Sequence, residues 1–189
     1  YDSSRFIHYE GAQGNPNHPE YKEGEEGQKA FRGKAHANPD DPKYVDVLSR
    51  MYPEIYQLKA MSESKYIDRP IVMCEYAHAM GNSIGNLGEY WDLINSKKNL
   101  IGGFIWDMID QGLETKDKNG NKYYGYGGDF EDYPNDKNFC INGVFSSDRK
   151  PNPHAWEVKY IQQPFNFTAI DVKNGAISAI NHLNETNLN

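Results

Sequence analysis

Residues 69–83 read Arg-Pro-Ile-Val-Met-Cys-Glu-Tyr-Ala-His-Ala-Met-Gly-Asn-Ser. The apolar run Ile71–Cys74 is too short for a helix and suits a buried strand. Beyond it, Ser83 is an N-cap candidate, and Ile84, Leu87, Trp91 and Ile94 follow at helical spacing. A second short apolar run, Ile101–Trp106, comes next. On the upstream side lies Val45–Met51, interrupted by Ser49 and Arg50. Pro53 after it suits a first helical position, and Ile55, Leu58 and Met61 share one face. The order is therefore strand, helix, strand, helix, strand, which predicts a parallel α/β architecture. A further apolar run, Phe6–Tyr9, predicts an additional strand at the start.

The remaining segments are polar or change character. Gln13 to Lys43 carries prolines, glycines and many charges with almost no apolar periodicity, and reads as a long surface loop. Asp117-Lys-Asn-Gly120 is a hairpin turn signal. Pro153 to Ile161 can form a short helix carrying Trp156 and Tyr160. From about residue 165, Phe165, Phe167 and Ala169 alternate, and Ile177, Ala179 and His182 follow around Asn174-Gly175. That pattern predicts a β-hairpin opening a second, all-β domain.

Composition narrows the function classes. The 189 residues carry 20 Lys+Arg against 27 Asp+Glu, a formal charge of −7. That balance argues against a nucleic-acid partner. No apolar run approaches the ~18 residues of a membrane helix. Apolar content is 38 %, yet aromatics reach 13 %, with 14 Tyr, 8 Phe and 3 Trp. Such a chain is globular, and a Tyr-rich cleft suits sugars, because a ring offers an apolar face and its hydroxyl a hydrogen bond. The same aromatics are equally at home on an ordinary surface. Two cysteines, Cys74 and Cys140, make neither a disulfide framework nor a four-ligand zinc site, and read as packed thiols.

Parallel α/β folds carry their chemistry at the C-terminal ends of strands. Those positions are Glu10, Tyr52, Glu75 and Trp106 with Asp107. Glu75 points either into a site or into solvent. In a site it can act as a nucleophile towards an anomeric carbon or as a general base. Tyr52 can hydrogen-bond such a carboxylate or simply pack. Trp106 is either a sugar platform or a core residue. His78 lies three residues after Glu75, but a single Glu-x-x-His with Gly81 beyond it does not make a di-metal helix; a hydroxyl contact is more economical. Asp129, Asp132, Asn135, Asp136 and Asn142 form an oxygen-rich stretch that either binds a hard cation or is a polar, turn-rich loop. Its spacing does not match an EF-hand.

The segment Arg69–Ser83 resembles the nucleophile segment of bacterial β-galactosidases of glycoside hydrolase family 2. Gly102-Gly-Phe-Ile-Trp-Asp-Met-Ile-Asp-Gln111 is similar to the family's segment with the sugar-stacking Trp. Tyr126–Phe130 and Pro134–Gly143 resemble the loop shaping its galactose and sodium sites, and Asp2–Arg5, Tyr9–Gly11 and Met51-Tyr52 also match. The resemblance implies the second half of a (β/α)8 TIM barrel over residues 1–164, and the first strands of a truncated β-sandwich over 165–189. It implies a retaining β-galactosidase in which Glu75 is the nucleophile and Tyr52 hydrogen-bonds near it. His78 would contact galactose, and Trp106 would floor the pocket. The Phe139 carbonyl and the Asn142 side chain would form part of a Na+ site that also orients the sugar. Asn135 would lie on the loop near an active-site Mg2+.

The family's acid/base Glu, its Mg2+ ligands and the remaining Na+ ligand would lie upstream, so this chain would hold at most a partial Na+ site and be inactive alone. Its partners would be a β-galactoside and the remainder of the parent polypeptide or other protomers, with no nucleic acid and no membrane. A bacterial cytoplasmic or periplasmic location is left open. Two alternatives stand beside this reading: a non-catalytic galactose-binding or complementing module, and another family 2 glycosidase such as a β-glucuronidase.

Overall fold

A computed structural model of the chain describes residues 2–12, 41–65, 67–183 and 186. Its centre is a parallel sheet of three strands in the order β1-β2-β3: β1 (Leu48–Met51), β2 (Ile71–Tyr76) and β3 (Leu100–Ile105). The crossovers are α1 (Ile55–Glu63) and α2 (Leu87–Ser96), so the strand–helix alternation read from the periodicity is present as an α/β unit. Leu48, Ile71, Met73 and Leu100 from the strands meet Leu58, Met61, Leu87 and Ile94 from the helices in one buried cluster. Each such side chain contributes about 1.5–3 kcal/mol by leaving water. A third helix, α3 (Ala155–Ile161), adds Ala155 to that cluster.

Several boundaries differ from the expected ones. Phe6–Tyr9 forms no strand. It meets the sheet region where the Asp46 N–H donates to the Ile7 carbonyl (2.9 Å), where the Ile7 N–H donates to the Asp46 carboxylate (2.6 Å), and where His8 Nε2 lies 2.8 Å from Ser49 Oγ of β1. A side chain takes the second ladder bond, so backbone pairing does not propagate. Val45 and Val47 are buried without joining β1, which starts at Leu48.

Pro53 stands before α1 rather than in it. The N-cap is Glu54, whose N–H donates to the buried Gln57 side chain (2.8 Å). Ser83 does not cap α2. Its N–H closes a turn on Met80 O, Gly81 takes a positive φ of 64°, and the N-cap is Asn86. Ile84 is buried ahead of the helix. Most of the loop Gln13–Lys43 lies outside the described residues. Its final part is not a surface segment, for Asp41 is buried against Arg50.

Two antiparallel hairpins follow. β4 (Leu113–Lys116) pairs with β5 (Lys122–Gly125). The Asp117 carboxylate closes their turn by accepting from the Asn119 and Asn121 N–H groups, both at 2.8 Å, as the turn signal predicted. β6 (Phe165–Asp171) pairs with β7 (Ala176–Asn181) around the expected turn, where Gly175 takes φ 72°. Among the described residues no helix is long and apolar enough to cross a membrane.

Candidate active site

The C-terminal edge of the sheet is one polar surface. β1 ends at Met51, paired with Glu75 of β2, and the Tyr52 N–H donates to the Glu75 carbonyl at 2.8 Å. β2 ends at Tyr76, paired with Ile105 of β3. The Trp106 N–H then donates to Tyr76 O (3.2 Å), and the Ala79 N–H returns to Trp106 O (2.8 Å). These bonds hold Tyr52, Glu75, His78 and Trp106 at adjacent strand ends. Glu75, Tyr52 and His78 are half-buried, and Trp106 keeps 39 % of its surface exposed, so it is not a core tryptophan.

Aromatic contacts extend the surface. The Tyr52 and His78 rings lie 6.1 Å apart, and His78 stacks on Phe139 at 5.6 Å with an interplanar angle of 28°. Trp106, Gln111, Asp132, Asn135, Phe139 and Asn142 line a cavity of about 350 Å³. From behind, Tyr76 is locked by Trp91 Nε1 (3.0 Å) and Gln162 Nε2 (3.3 Å), and burial pushes its phenol up. Tyr90 donates to Pro53 O (2.8 Å), joining α2 to the β1–α1 connection. The site floor is thus fixed by two helices.

The loop across the site is built on Asp107 and Asp110. The Asp107 N–H donates to Asn142 O (2.9 Å), and the Val144 N–H donates to Asp107 O (2.9 Å). The Asp110 carboxylate accepts from the Gly143 N–H (2.7 Å). Gly143 admits no side chain, since an added Cβ would overlap the backbone of Asp110 and Ile109. The spacing Asp107-x-x-Asp110-Gln111 directly after an apolar strand is a signal for this scaffold that the sequence reading passed over. The same holds for the buried Asp41–Arg50 pair beneath β1 and for His8, which meets Ser49. Glu10 sits in a turn rather than at a strand end, because no strand precedes it.

Cation binding divides into two cases. Asn142 is 2 % exposed, its Nδ2 donates to Phe139 O (3.0 Å), and its Oδ1 is buried with no hydrogen-bond partner among the described residues. An orphaned amide oxygen beside a backbone carbonyl fits a hard monovalent cation, whose charge would offset the ~1–3 kcal/mol cost of leaving such a group unsatisfied. The acidic stretch before it behaves as a turn-rich loop. Asp129 accepts from the Tyr126 N–H (2.9 Å) and Asp132 from the Gly128 N–H (2.9 Å). Asn135 accepts from the Lys137 N–H (3.1 Å) and donates to Asp132 O (2.8 Å). Both ends of the Asn135 amide thus serve to close its own turn. Among the described residues no group of three or more His, Cys, Asp or Glu could hold a metal ion.

The chain is similar to several curated proteins named β-galactosidase. One from Oenococcus oeni is 56 % identical over 99 residues, covering 52 % of this chain and 10 % of the relative. One from Pseudoalteromonas haloplanktis is 54 % identical over 135 residues, covering 66 % and 13 %. The chain therefore spans about an eighth of the length of such relatives. Among solved structures it is similar to a Ruminococcus gnavus β-glucuronidase at 18 % identity and a TM-score of 0.36, over 62 % of this chain and 22 % of that one. The family model described as glycosyl hydrolases family 2, TIM barrel domain, matches residues 1–167. The chain belongs to glycosyl hydrolase family 2, within the family's TIM barrel domain.

Proposed function

We propose that the protein containing this chain hydrolyses terminal β-galactosides by a retaining double displacement, and that this chain supplies the nucleophile, Glu75. The observation that carries the reading is the convergence of Tyr52, Glu75, His78 and Trp106 at three adjacent strand ends. The identity to curated β-galactosidases supports galactosides over other family 2 substrates.

Glu75 attacks the anomeric carbon as the bond to the leaving-group oxygen breaks, giving a covalent galactosyl ester. A second carboxylic acid of the same protein would protonate the leaving group and then deprotonate the incoming water. The Tyr52 hydroxyl would hydrogen-bond near Glu75 during the reaction. Trp106 forms the apolar floor for the sugar, with His78 contacting its hydroxyls. The Phe139 carbonyl and Asn142 Oδ1 would hold a Na+ ion, which supplies a fixed positive charge against which a sugar hydroxyl is oriented. No Mg2+ step is assigned to this chain. β1, β2 and β3 are read as consecutive strands of a (β/α)8 barrel within residues 1–164, and the β6–β7 hairpin as the opening of the next domain, 165–189. Because general acid catalysis is worth ~10²–10⁴-fold, the chain alone should turn over little substrate.

The test is mechanism-based trapping of the full-length protein with a 2-deoxy-2-fluoro-β-galactoside. Mass spectrometry should find the sugar on the peptide containing Glu75. Glu75→Gln should lower kcat/KM on the order of 10³-fold or more. Labelling at another carboxylate, or faster turnover of β-glucuronides or β-mannosides, would refute the reading.

A further inference from the structure

The strand that carries Glu75 has one residue too many. Between β1 and β2, Arg50 pairs with Met73 and Met51 with Glu75, so Cys74 has no partner of its own. On the other side, Ile71 pairs with Leu100, Met73 with Gly103 and Tyr76 with Ile105, so β3 takes an extra step before Met73 and β2 takes one after it. After Met73, both neighbours therefore report the same irregularity, at Cys74–Glu75.

The extra residue reverses the facing of everything after it. Ile71 and Met73 lie in the helix-side core. Strict alternation would send Glu75 there next and turn Tyr76 away. Instead Tyr76 is in that core, 1 % exposed and held by Trp91 and Gln162, while Glu75 stays half-buried. A bulge that re-aims a side chain at a site is a known use of such an insertion. A bulge also costs ladder hydrogen bonds and needs something to hold it.

Side chains do that here. Cys74 falls at the register shift directly after the Arg50–Met73 pair, and its half-buried thiol is near enough to the Ser49 hydroxyl to feel it electrostatically. Ser49 is 1 % exposed, and its Oγ lies 2.8 Å from His8 Nε2. A continuous file thus runs from the segment around His8, across β1, to the residue preceding Glu75. We propose that Cys74, Ser49 and His8 are positioning residues that fix the β2 bulge and so aim the Glu75 carboxylate. This inference rests on the reading of Glu75 as nucleophile. The three residues touch no substrate and act only through Glu75.

The experiment compares Ser49→Ala, Ser49→Thr and His8→Ala with Glu75→Gln in the full-length protein. Active sites are counted by stoichiometric fluorosugar trapping, so that misfolded molecules are excluded from each rate. Ser49→Ala should lower kcat per active site about 10- to 100-fold, the scale of a sub-ångström to 1 Å misplacement, and slow trapping in parallel. KM should change less than about twofold, because the sugar contacts remain. Ser49→Thr keeps the hydroxyl and should recover most of the rate, and His8→Ala should show a smaller loss of the same kind. Unchanged kcat per active site in Ser49→Ala, with Glu75→Gln inactive, overturns the positioning role and leaves the nucleophile standing. A loss confined to melting temperature or to the count of active sites also overturns it. Full activity in Glu75→Gln overturns both readings together.

Discussion

Removing the Asp41 carboxylate tests how β1 is held under the site. Arg50 and Asp41 have side chains 1 % and 0 % exposed, and they meet through two bonds, Nη1 to Oδ2 at 2.8 Å and Nη2 to Oδ1 at 2.9 Å. The fork-to-fork pair is fully withdrawn from water, so each partner depends on the other for compensation. Asp41→Ala removes both of these bonds while the guanidinium stays buried, 2.6 Å from the Ser49 carbonyl. Breaking a buried pair from one side costs about 3–5 kcal/mol. At about 1.4 kcal/mol per factor of ten, local opening of β1 should become about 10²- to 10³·⁵-fold more frequent. Amide hydrogen exchange reads this directly at Leu48, whose N–H donates to Pro70 O (2.8 Å), and at Tyr52, whose N–H donates to Glu75 O (2.8 Å). An acceleration under about threefold at both amides would refute the reasoning. The double variant Asp41→Leu with Arg50→Met should recover to within about 1 kcal/mol of the parent, because an apolar pair leaves no buried charge. If it stays as unstable as Asp41→Ala, shape rather than charge is what Asp41 supplies.

Gly143→Ala forces a methyl group into the backbone of Asp110 and Ile109 and should cost more than about 3 kcal/mol, read as loss of exchange protection at Val144, whose N–H donates to Asp107 O. Burial pushes the Cys74 thiol up, with the charges of Glu10 and Glu75 adding to it. Its alkylation at pH 8 should therefore be slower than that of an ordinary thiol, and should accelerate only as the pH climbs above the usual thiol range. Hydrogen bonds from Lys150 and Ser146 hold the Asp148 carboxyl down at about 2. Its NMR titration should lie there, and Lys150→Ala should move it up towards the usual carboxylate range; no movement would refute the pairing.

The α/β frame was legible because burial is periodic. Leu58 and Met61 on one side of α1, and Leu87 and Ile94 on α2, are buried where the spacing put them. The hairpins were legible for a different reason, since Asp117 with Gly120 and Asn174 with Gly175 encode turns locally. What failed was the reading of ends. Pro53 and Ser83 have the chemistry of helix starts, but Gln57 folds back on Glu54 and Ile84 is drawn into the core before α2 begins. Phe6–Tyr9 has the apolarity of a strand, but nothing in its own sequence says that the Asp46 side chain will occupy its ladder position. Tertiary partners decide such cases, and they are not written in the segment they decide.

The candidate site divides along the same line. Tyr52, Glu75 and Trp106 were found because a strand end is a positional property, recoverable from where an apolar run stops. Phe139 came only from the family resemblance, whereas His78 and Asn142 were visible beforehand only as a neighbour of Glu75 and as one member of an oxygen-rich stretch. Physical spacing has no means of telling that a histidine after β2 will stack on a phenylalanine 61 positions further along the chain. The β2 bulge escapes both routes. Alternation read from Ile71 through Tyr76 is compatible with an unbroken strand, and in that register Glu75 would be a core carboxylate and Tyr76 an outward phenol. The sequence does contain the contradiction, since no charged group sits comfortably next after Ile71 and Met73 on the helix side. A single extra residue resolves it, by moving the carboxylate out of the core and the tyrosine into it. Glu75→Leu would remove that conflict. It should therefore favour the unbroken register, returning position 75 to the core side and loosening Tyr76 from Trp91 and Gln162. A Glu75→Leu structure that keeps Met51 paired with position 75 and Tyr76 buried would show that the bulge is held by its neighbours, His8, Ser49 and Cys74, and not by the charge it serves.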